Sequence, residues 1–272
     1  MRRISVLGPG RHKMTIVHFF ARNTRMVGAL MMREMVTRYG RQGLGFVWVI
    51  GEPLLFCFGV LVMWSIIKPE YEHGVRLGPF VMTGYMALLL LRHQISFSID
   101  ALRGNIGLLH HRQIAVLHLY LARNILEFVG ATAAFVVVYV TLLVLGQVTL
   151  PHDILALYGG WLLMGWMSMG LAMLMSGFAM RFDFVERLVA LVSYVMIPAS
   201  GAFVMASWIP QPYRDMYLLI PFPHAVEMIR AGVFGEFVAT YYSPLYAVAW
   251  GSILNLGALL VLSDAREHID IE

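Results

Sequence analysis
Apolar residues fall in two patterns along this chain. Between residues 15 and 36 they recur with a helical period. At about 100° per residue, Ile16, Phe20, Val27, Met31 and Met35 share one sector, and Arg22, Arg25 and Arg33 lie on the opposite face. A basic amphipathic helix of this kind is expected to lie in a membrane surface. The plainer reading, a solvated helix packed on a soluble domain, has no soluble domain following it. From residue 47 the pattern changes to long apolar runs. A membrane span needs about 20 such residues, and six runs reach or approach that length: 47–67, 78–99, 119–145, 154–180, 184–206 and 244–263. The fourth and fifth are joined only by Arg181-Phe182-Asp183, which predicts a tight polar turn. A five-span count would merge or demote one run, and the lengths favour six.

Residues 207–243 fit neither pattern. Prolines stand at 210, 212, 221 and 223, and two short apolar helices broken between Pro221 and Pro223 suit the segment better than a span or a solvated loop. Non-helical backbone at membrane depth survives only where protein or a cavity covers it. A re-entrant helical pair on the outer side is therefore predicted. Within it, Glu227 and Arg230 are spaced to pair along one helix.

Hydrophobic residues make up 59% of the chain and charged residues 13%, about half the soluble average. The fold class expected is all-α: a polytopic membrane protein with an N-terminal amphipathic interfacial helix, six transmembrane helices and a re-entrant pair before the last span. It forms a single transmembrane domain, divided as tail and interfacial helix 1–46, spans one to five 47–206, re-entrant helices 207–243, span six 244–263 and tail 264–272. A sole cysteine, Cys57, leaves no intrachain disulfide. The 19 methionines read as fillers of helix packing. The first 20 residues lack a compact apolar region followed by a cleavage site, so no cleavable signal peptide is expected.

The formal charge of +4 matters through its distribution. Nine Lys and Arg precede the first run, and Arg103, Arg112, Arg181, Arg187 and Arg266 fall on the same side; the other side carries Lys68, Arg76, Arg214 and Arg230. By the positive-inside rule both termini are cytoplasmic. Catalytic signatures are missing from the sequence. The run Gly8-Pro9-Gly10-Arg11-His12-Lys13 has the wrong spacing for a phosphate loop and no strand before it. There is no H-E-x-x-H, cysteine pair or G-x-S-x-G, and the adjacent His110 and His111 point different ways on a helix. Glu52, Arg92 and Glu127 are too few and too scattered along the sequence to make the case for a membrane-embedded enzyme, unless helix packing brings them together.

The stretch from Arg33 to Leu55 joins these parts: charged helix, then Gly40, Gly43 and Gly45, then Phe46-Val47-Trp48 and the pair Glu52-Pro53. The glycines allow tight turns and close helix contact, Trp48 suits the interface, and Glu52 is costly in lipid and so is expected to face protein or water. The pattern R-E-x-x-x-R-Y-x-x-x-x-L-G-x-x-W-x-x-x-E-P resembles the N-terminal signature of ABC-2-type transporter permeases, and among them the capsular polysaccharide export permeases. The spacing of Pro223, Glu227 and Arg230 resembles the same family. The resemblance implies a permease subunit in a bacterial inner membrane, a homodimer with the pore between copies, and two ABC ATPase subunits carrying the ATP and Mg. This chain itself needs no cofactor. A periplasmic adaptor, an outer-membrane channel and a lipid-linked acidic polysaccharide cargo are implied in the same way, and no nucleic-acid partner.

Residues 101–118 resemble the family's coupling helix, with Arg103, Ile106, Leu108, Leu109 and Arg112 as docking candidates. The apolar three suit a partner groove or, equally, the bilayer surface. For the cargo path, Tyr85, Leu89, Arg92 and Ser96 recur on one helical face. Arginine is a good partner for phosphate and carboxylate; the alternative is that Arg92 snorkels to the interface. Glu52, Trp48, Trp64, Trp161 and Trp166 are further lining candidates. Competing functions are an ABC-2 permease for O-antigen, teichoic acid or a drug, and an ion-coupled carrier or membrane-embedded enzyme. Ion-coupled carriers usually show internal repeats, and none is found.

Overall fold
The structure, a computed structural model, describes residues 16–39, 45–103 and 115–269. The tail before residue 16, the glycine corner at 40–44, the docking candidates Ile106, Leu108, Leu109 and Arg112, and residues 270–272 lie outside the described residues, as does the Arg103 side chain.

Helix α1 (Ile16–Tyr39) is followed by α2 (Gly45–Ile67). A two-residue hairpin, β1 (Tyr71–Glu72) and β2 (Val75–Arg76), turns the chain through His73 and Gly74, both at positive φ, into α3 (Leu77–Arg103). Then come α4 (Val116–Val144), α5 (Ile154–Arg181), α6 (Asp183–Ala199), the single-turn α7 (Tyr213–Tyr217), α8 (Phe222–Phe234) and α9 (Pro244–Ile269). Asp153 caps α5, accepting from the N–H groups of Leu155 and Ala156 at 2.8 and 3.0 Å, the usual service of an Asp at that position.

The long apolar runs are helices where the pattern placed them, and Phe182 alone separates α5 from α6. Four helices, α2, α4, α5 and α9, are long and apolar enough to cross a membrane. The remaining two runs differ from expectation. Helix α3 is long, but the Arg92-His93-Gln94 cluster lowers its hydropathy. Helix α6 stops at Ala199, with Pro198 in its last turn, rather than reaching residue 206. The expected short helices in 207–243 are α7 and α8, with the break at Leu218 to Pro221. At 13 residues, α8 is about 20 Å long.

Helix α5 is the hub. It packs on α9, α8 and α3, and α4 closes the bundle against α3, α2 and α1. Glycine sets the spacing. A Cβ at Gly160 would stand 2.7 Å from the Ala225 carbonyl oxygen and the Ile229 nitrogen of α8, and one at Gly170 would stand 2.8 Å from the Leu254 and Asn255 side chains of α9. Small residues allow this backbone approach, which is the main source of helix attraction inside a membrane. By contrast α2 is sparsely covered: Leu55, Phe56 and Ile66 are exposed.

Glycine to alanine in an open helix is favourable by about 1 kcal/mol, while overfilling a packed site costs about 1–3 kcal/mol or more. Gly160→Ala should therefore lower the midpoint of thermal unfolding in detergent, because its neighbours are backbone atoms. Gly28→Ala on α1, where nothing lies within 4 Å, should hold or raise it. Equal midpoints for the two variants would contradict the close α5–α8 contact.

Candidate transport path and coupling site
Three groups of polar residues stand out in the bundle. The first lies at the end that carries the β hairpin. Helix α8 is buried through most of its length, and Arg230 on it is fully buried. The guanidinium pairs with Glu227 at 3.3 Å, donates to the carbonyls of Val204 and Ala202 at 2.9 and 2.8 Å, and lies 4.6 Å over the Phe80 ring of α3. Glu227 accepts from the N–H groups of Ala206 and Tyr241, both at 3.2 Å. His224 holds the same segments: its Nδ1 accepts from the Ser243 N–H at 3.0 Å, and its Nε2 donates to the Leu218 carbonyl at 2.8 Å. One helix thus supplies partners to irregular backbone on both sides of it. Nearby, burial pushes the Tyr217 hydroxyl up to about 12, with Arg230 opposing.

The second group is the predicted face of α3. From Leu77 to Ile95 the helix is buried except at Tyr85, Arg92 and His93, and Ser96 beyond them is exposed. Leu89, placed on the same face by spacing, is turned into the core. Tyr85 tilts against Phe203 at 6.1 Å. Arg92 makes no hydrogen bond or ion pair among the described residues, and neither does the half-exposed Glu52 of α2. Trp64 lies beside this face, 5.2 Å from Phe203 with Lys68 4.5 Å over its ring. Trp48 and Trp166 are exposed on the surface. Trp161 is placed differently: it is buried between α4 and α5, stacks on Phe135 at 4.9 Å, and donates to Thr132 Oγ1 at 2.8 Å. It helps to pack α5 against α4, and with Phe135, Tyr139 and Tyr158 it also lines a cavity of about 290 Å³ between them.

The third group was not anticipated. At the end of the bundle near α1, the buried Glu34 of α1 and Arg123 of α4 form an ion pair at 3.1 Å, and Arg123 also donates to the Phe97 carbonyl of α3 at 2.6 Å. Beside it, the next residue, Asn124, donates to Ser98 Oγ at 3.3 Å, Gln94 donates to the Asn124 carbonyl at 3.4 Å, and Tyr120 meets Ser176 of α5 at 2.6 Å. Ser176 donates in turn to the Ser98 carbonyl at 2.8 Å. His93 stands 3.6 Å from Glu127. A signal for this layer was present in the sequence. Glu34 falls at the edge of the apolar sector of α1, in line with Ile16 and one turn from Leu30, and Arg123 interrupts the third apolar run. A lone acid on an apolar helix face and a lone base inside a span are natural partners.

A glycine-packed helical bundle of long apolar helices, with buried polar layers at both ends and a half-buried arginine on α3, suits a membrane transport subunit. The chain belongs to the ABC-2 type transporter family, whose pattern matches residues 25–234. That match runs from α1 to the end of α8 and so takes in all three polar groups. Over its whole length the chain is similar to proteins of one kind. It is 36% identical to the capsule polysaccharide export inner-membrane protein CtrC of Neisseria meningitidis serogroup B, across 95% of this chain and 98% of the relative. It is 34% identical to the capsule polysaccharide export inner-membrane protein BexB of Haemophilus influenzae, across 95% and 97%. Identity to the polysialic acid transport protein KpsM of Escherichia coli is 25%, across 89% and 93%.

Removing one partner from a buried ion pair costs about 3–5 kcal/mol, because the other charge is left stranded. Arg230→Met and Glu227→Leu should each lower stability by that order, read as the thermal midpoint in detergent. The double variant should recover part of the loss and not all, since the Ala202 and Val204 carbonyls remain without their donor. A double variant as stable as the parent would contradict the backbone-capping role.

Proposed function
We propose that this chain is the permease of an ATP-driven exporter of lipid-linked capsular polysaccharide. It is a multi-pass inner-membrane transport subunit and not an enzyme, with ATP hydrolysis on a partner ATPase. The full-length similarity to capsule polysaccharide export inner-membrane proteins supports the cargo class. Each copy crosses the membrane six times with both termini cytoplasmic: α3, at 27 residues, is about 40 Å long and exceeds the hydrocarbon thickness of about 30 Å. Helix α6 enters as a shorter span completed by the buried segment after it, and α7 and α8 form the re-entrant pair. Two copies assemble around the sparsely covered side of α2 and the Tyr85–Arg92–Ser96 face. Two ATPase subunits bearing ATP and Mg, a periplasmic adaptor and an outer-membrane channel complete the machine.

The observation that carries the path is Arg92. It is half-buried beside Tyr85, His93 and Ser96 on the less covered face of α3, and it makes no hydrogen bond or ion pair among the described residues. A guanidinium there fits the phosphate of a lipid-linked glycan end or the carboxylates of an acidic polymer.

Arg92→Ala should cut surface capsule tenfold or more while lipid-linked polymer accumulates inside and ATPase assembly stays normal. Arg92→Lys should be intermediate, keeping charge without the planar fork. Tyr85→Ala should be milder. Normal export in both alanine variants would place the path elsewhere. For the dock, Ile106→Asp with Leu109→Asp should leave the permease inserted but release the ATPase, because its groove would have to bury charge. Retention of the ATPase with normal export would defeat that assignment.

A further inference from the structure
The buried layer near α1 is unaccounted for by the cargo path. It is separate from the α8 network and meets the α3 face only through His93, which stands 3.6 Å from Glu127, yet it holds the most extensive set of side-chain bonds between helices in the described chain. Its position suggests its task. Phe97, which accepts from Arg123, lies in the last two turns of α3. Arg123 itself lies two turns into α4. The pair therefore ties together the two helices on either side of the connection at 104–115, and Glu34 adds α1 to the same knot. Two further contacts bind α1 to the start of α4: His118 meets Asn23 at 3.3 Å, and Leu30 packs in one apolar cluster with Val116, Leu119 and Tyr120. Helix α1 leads through residues 40–44 into α2, the span that carries Glu52.

We infer that the Glu34–Arg123 pair is a transmission link: it makes α1, the end of α3 and the start of α4 one rigid unit, so that a displacement at the 101–118 segment reaches α2 through the surface helix. Arg123 and Glu34 are positioning residues, acting on the path through α1 and α2 and not by touching cargo. The inference rests on the reading of 101–118 as the ATPase dock. The physical requirement is stiffness. A surface helix held only by apolar contact can roll or slide, because such contact is non-directional. A guanidinium held by a carboxylate on α1 and a carbonyl on α3 fixes distance and angle together.

The test uses the whole permease with its ATPase, in membrane vesicles and in capsulated cells. Glu34→Gln and Arg123→Gln should keep ATPase co-purification and at least half of the ATP turnover per complex, and should lower export per ATP hydrolysed tenfold or more. Arg123→Lys should recover part of that ratio. Export and turnover falling in step with the amount of folded complex would reduce the pair to a structural role and overturn the inference, and so would an unchanged ratio. A second measurement does not depend on removing the pair. Asn23→Cys and His118→Cys, in a Cys57→Ala background, are bridged by a short bis-maleimide. Export should survive the bridge, because α1 and α4 move as one; loss of export only in the bridged protein would show that α1 slides on α4 and overturn the inference. The dock is judged separately by Ile106→Asp with Leu109→Asp: an ATPase still held by that variant defeats the docking assignment, while the export-to-hydrolysis ratio of Glu34→Gln still decides the link.

Discussion
Backbone that leaves a helix in an apolar surrounding must find every hydrogen-bond partner inside the protein, and the architecture here is arranged around one such place. Helix α6 ends early, and the chain runs without regular structure from Ser200 to Met205 while Ser200, Gly201, Ala202 and Met205 stay buried. Gly201 turns it at φ +84, a region open to glycine without strain. Gly84 of α3 leaves space for the Ala202 peptide, whose carbonyl carbon would stand 2.7 Å from a Cβ there. Arg230 then takes the carbonyls that the broken helix leaves over. Arginine suits this because its five donors are fixed in a plane, and Glu227 makes its burial tolerable while accepting from the other side of the same break. Removing any member leaves another without a partner, so the group behaves as a unit.

Stiffness and freedom are unevenly shared between the two sides of the bundle. The α5 side is held by backbone contact with α8 and α9 through glycines, and its surface is closed by Trp161, Phe135 and Phe128. The α2 side has little of this, and its spanning window is 11% buried. A helix that crosses a membrane need not be covered by its own chain, since lipid tails are as apolar as leucine. A half-exposed carboxylate, Glu52, on that helix is a different matter, because lipid offers it no solvation. Together with Arg92 on the neighbouring α3, it marks this side as one that meets protein, water or cargo in the assembled machine.

Much of the fold was legible because membrane helices obey two simple rules, length and continuity of apolar residues. The runs at 47–67 and 154–180 and the Arg181-Phe182-Asp183 turn were read from these rules alone; the break expected from the prolines at Pro221 to Pro223 falls earlier, at Leu218 to Pro221, because Pro223 fits in the first turn of α8. Two features were hidden for physical reasons. The early end of α6 leaves no mark in hydropathy, because residues 200–206 are as apolar as a helix would be; only Pro198 and Gly201 hint at it. The Glu34–Arg123 link joins residues far apart in sequence: Glu34 on the apolar sector of α1 and Arg123 inside an apolar run each hint at a buried charge, and neither names its partner. For the site, spacing grouped Tyr85, Leu89, Arg92 and Ser96 on one face of α3, of which Leu89 turns into the core, Tyr85 and Arg92 are half-buried and Ser96 is exposed; spacing also paired Glu227 with Arg230. Residue type alone is a weak guide at Trp161, since an aromatic ring fills a core as well as it lines a path.

Charge inside a bundle of this kind separates structural from functional residues by what balances it. A span-centred arginine costs about 2.5–3.5 kcal/mol on insertion scales, and a carboxylate in close contact can offset that cost. Arg123 and Arg230 each have such a carboxylate and a backbone carbonyl within 3.5 Å. They are buried and each is held by a carboxylate and a backbone carbonyl, so neither is placed to bind anything that passes. Arg92 carries the same cost without the offset among the described residues. A fold held at close tolerance elsewhere by glycine and buried pairs has no packing reason to keep it there. On the proposed function, what balances Arg92 lies beyond the described residues, and candidates of the right chemistry are a carboxylate of a second copy such as Glu52, a lipid headgroup, or the anionic end of the exported polymer. In a symmetric dimer the first and third can alternate. Arg92 would pair across the interface when the path is empty and with the cargo when it is occupied, which lets an unoccupied path close without stranding a charge.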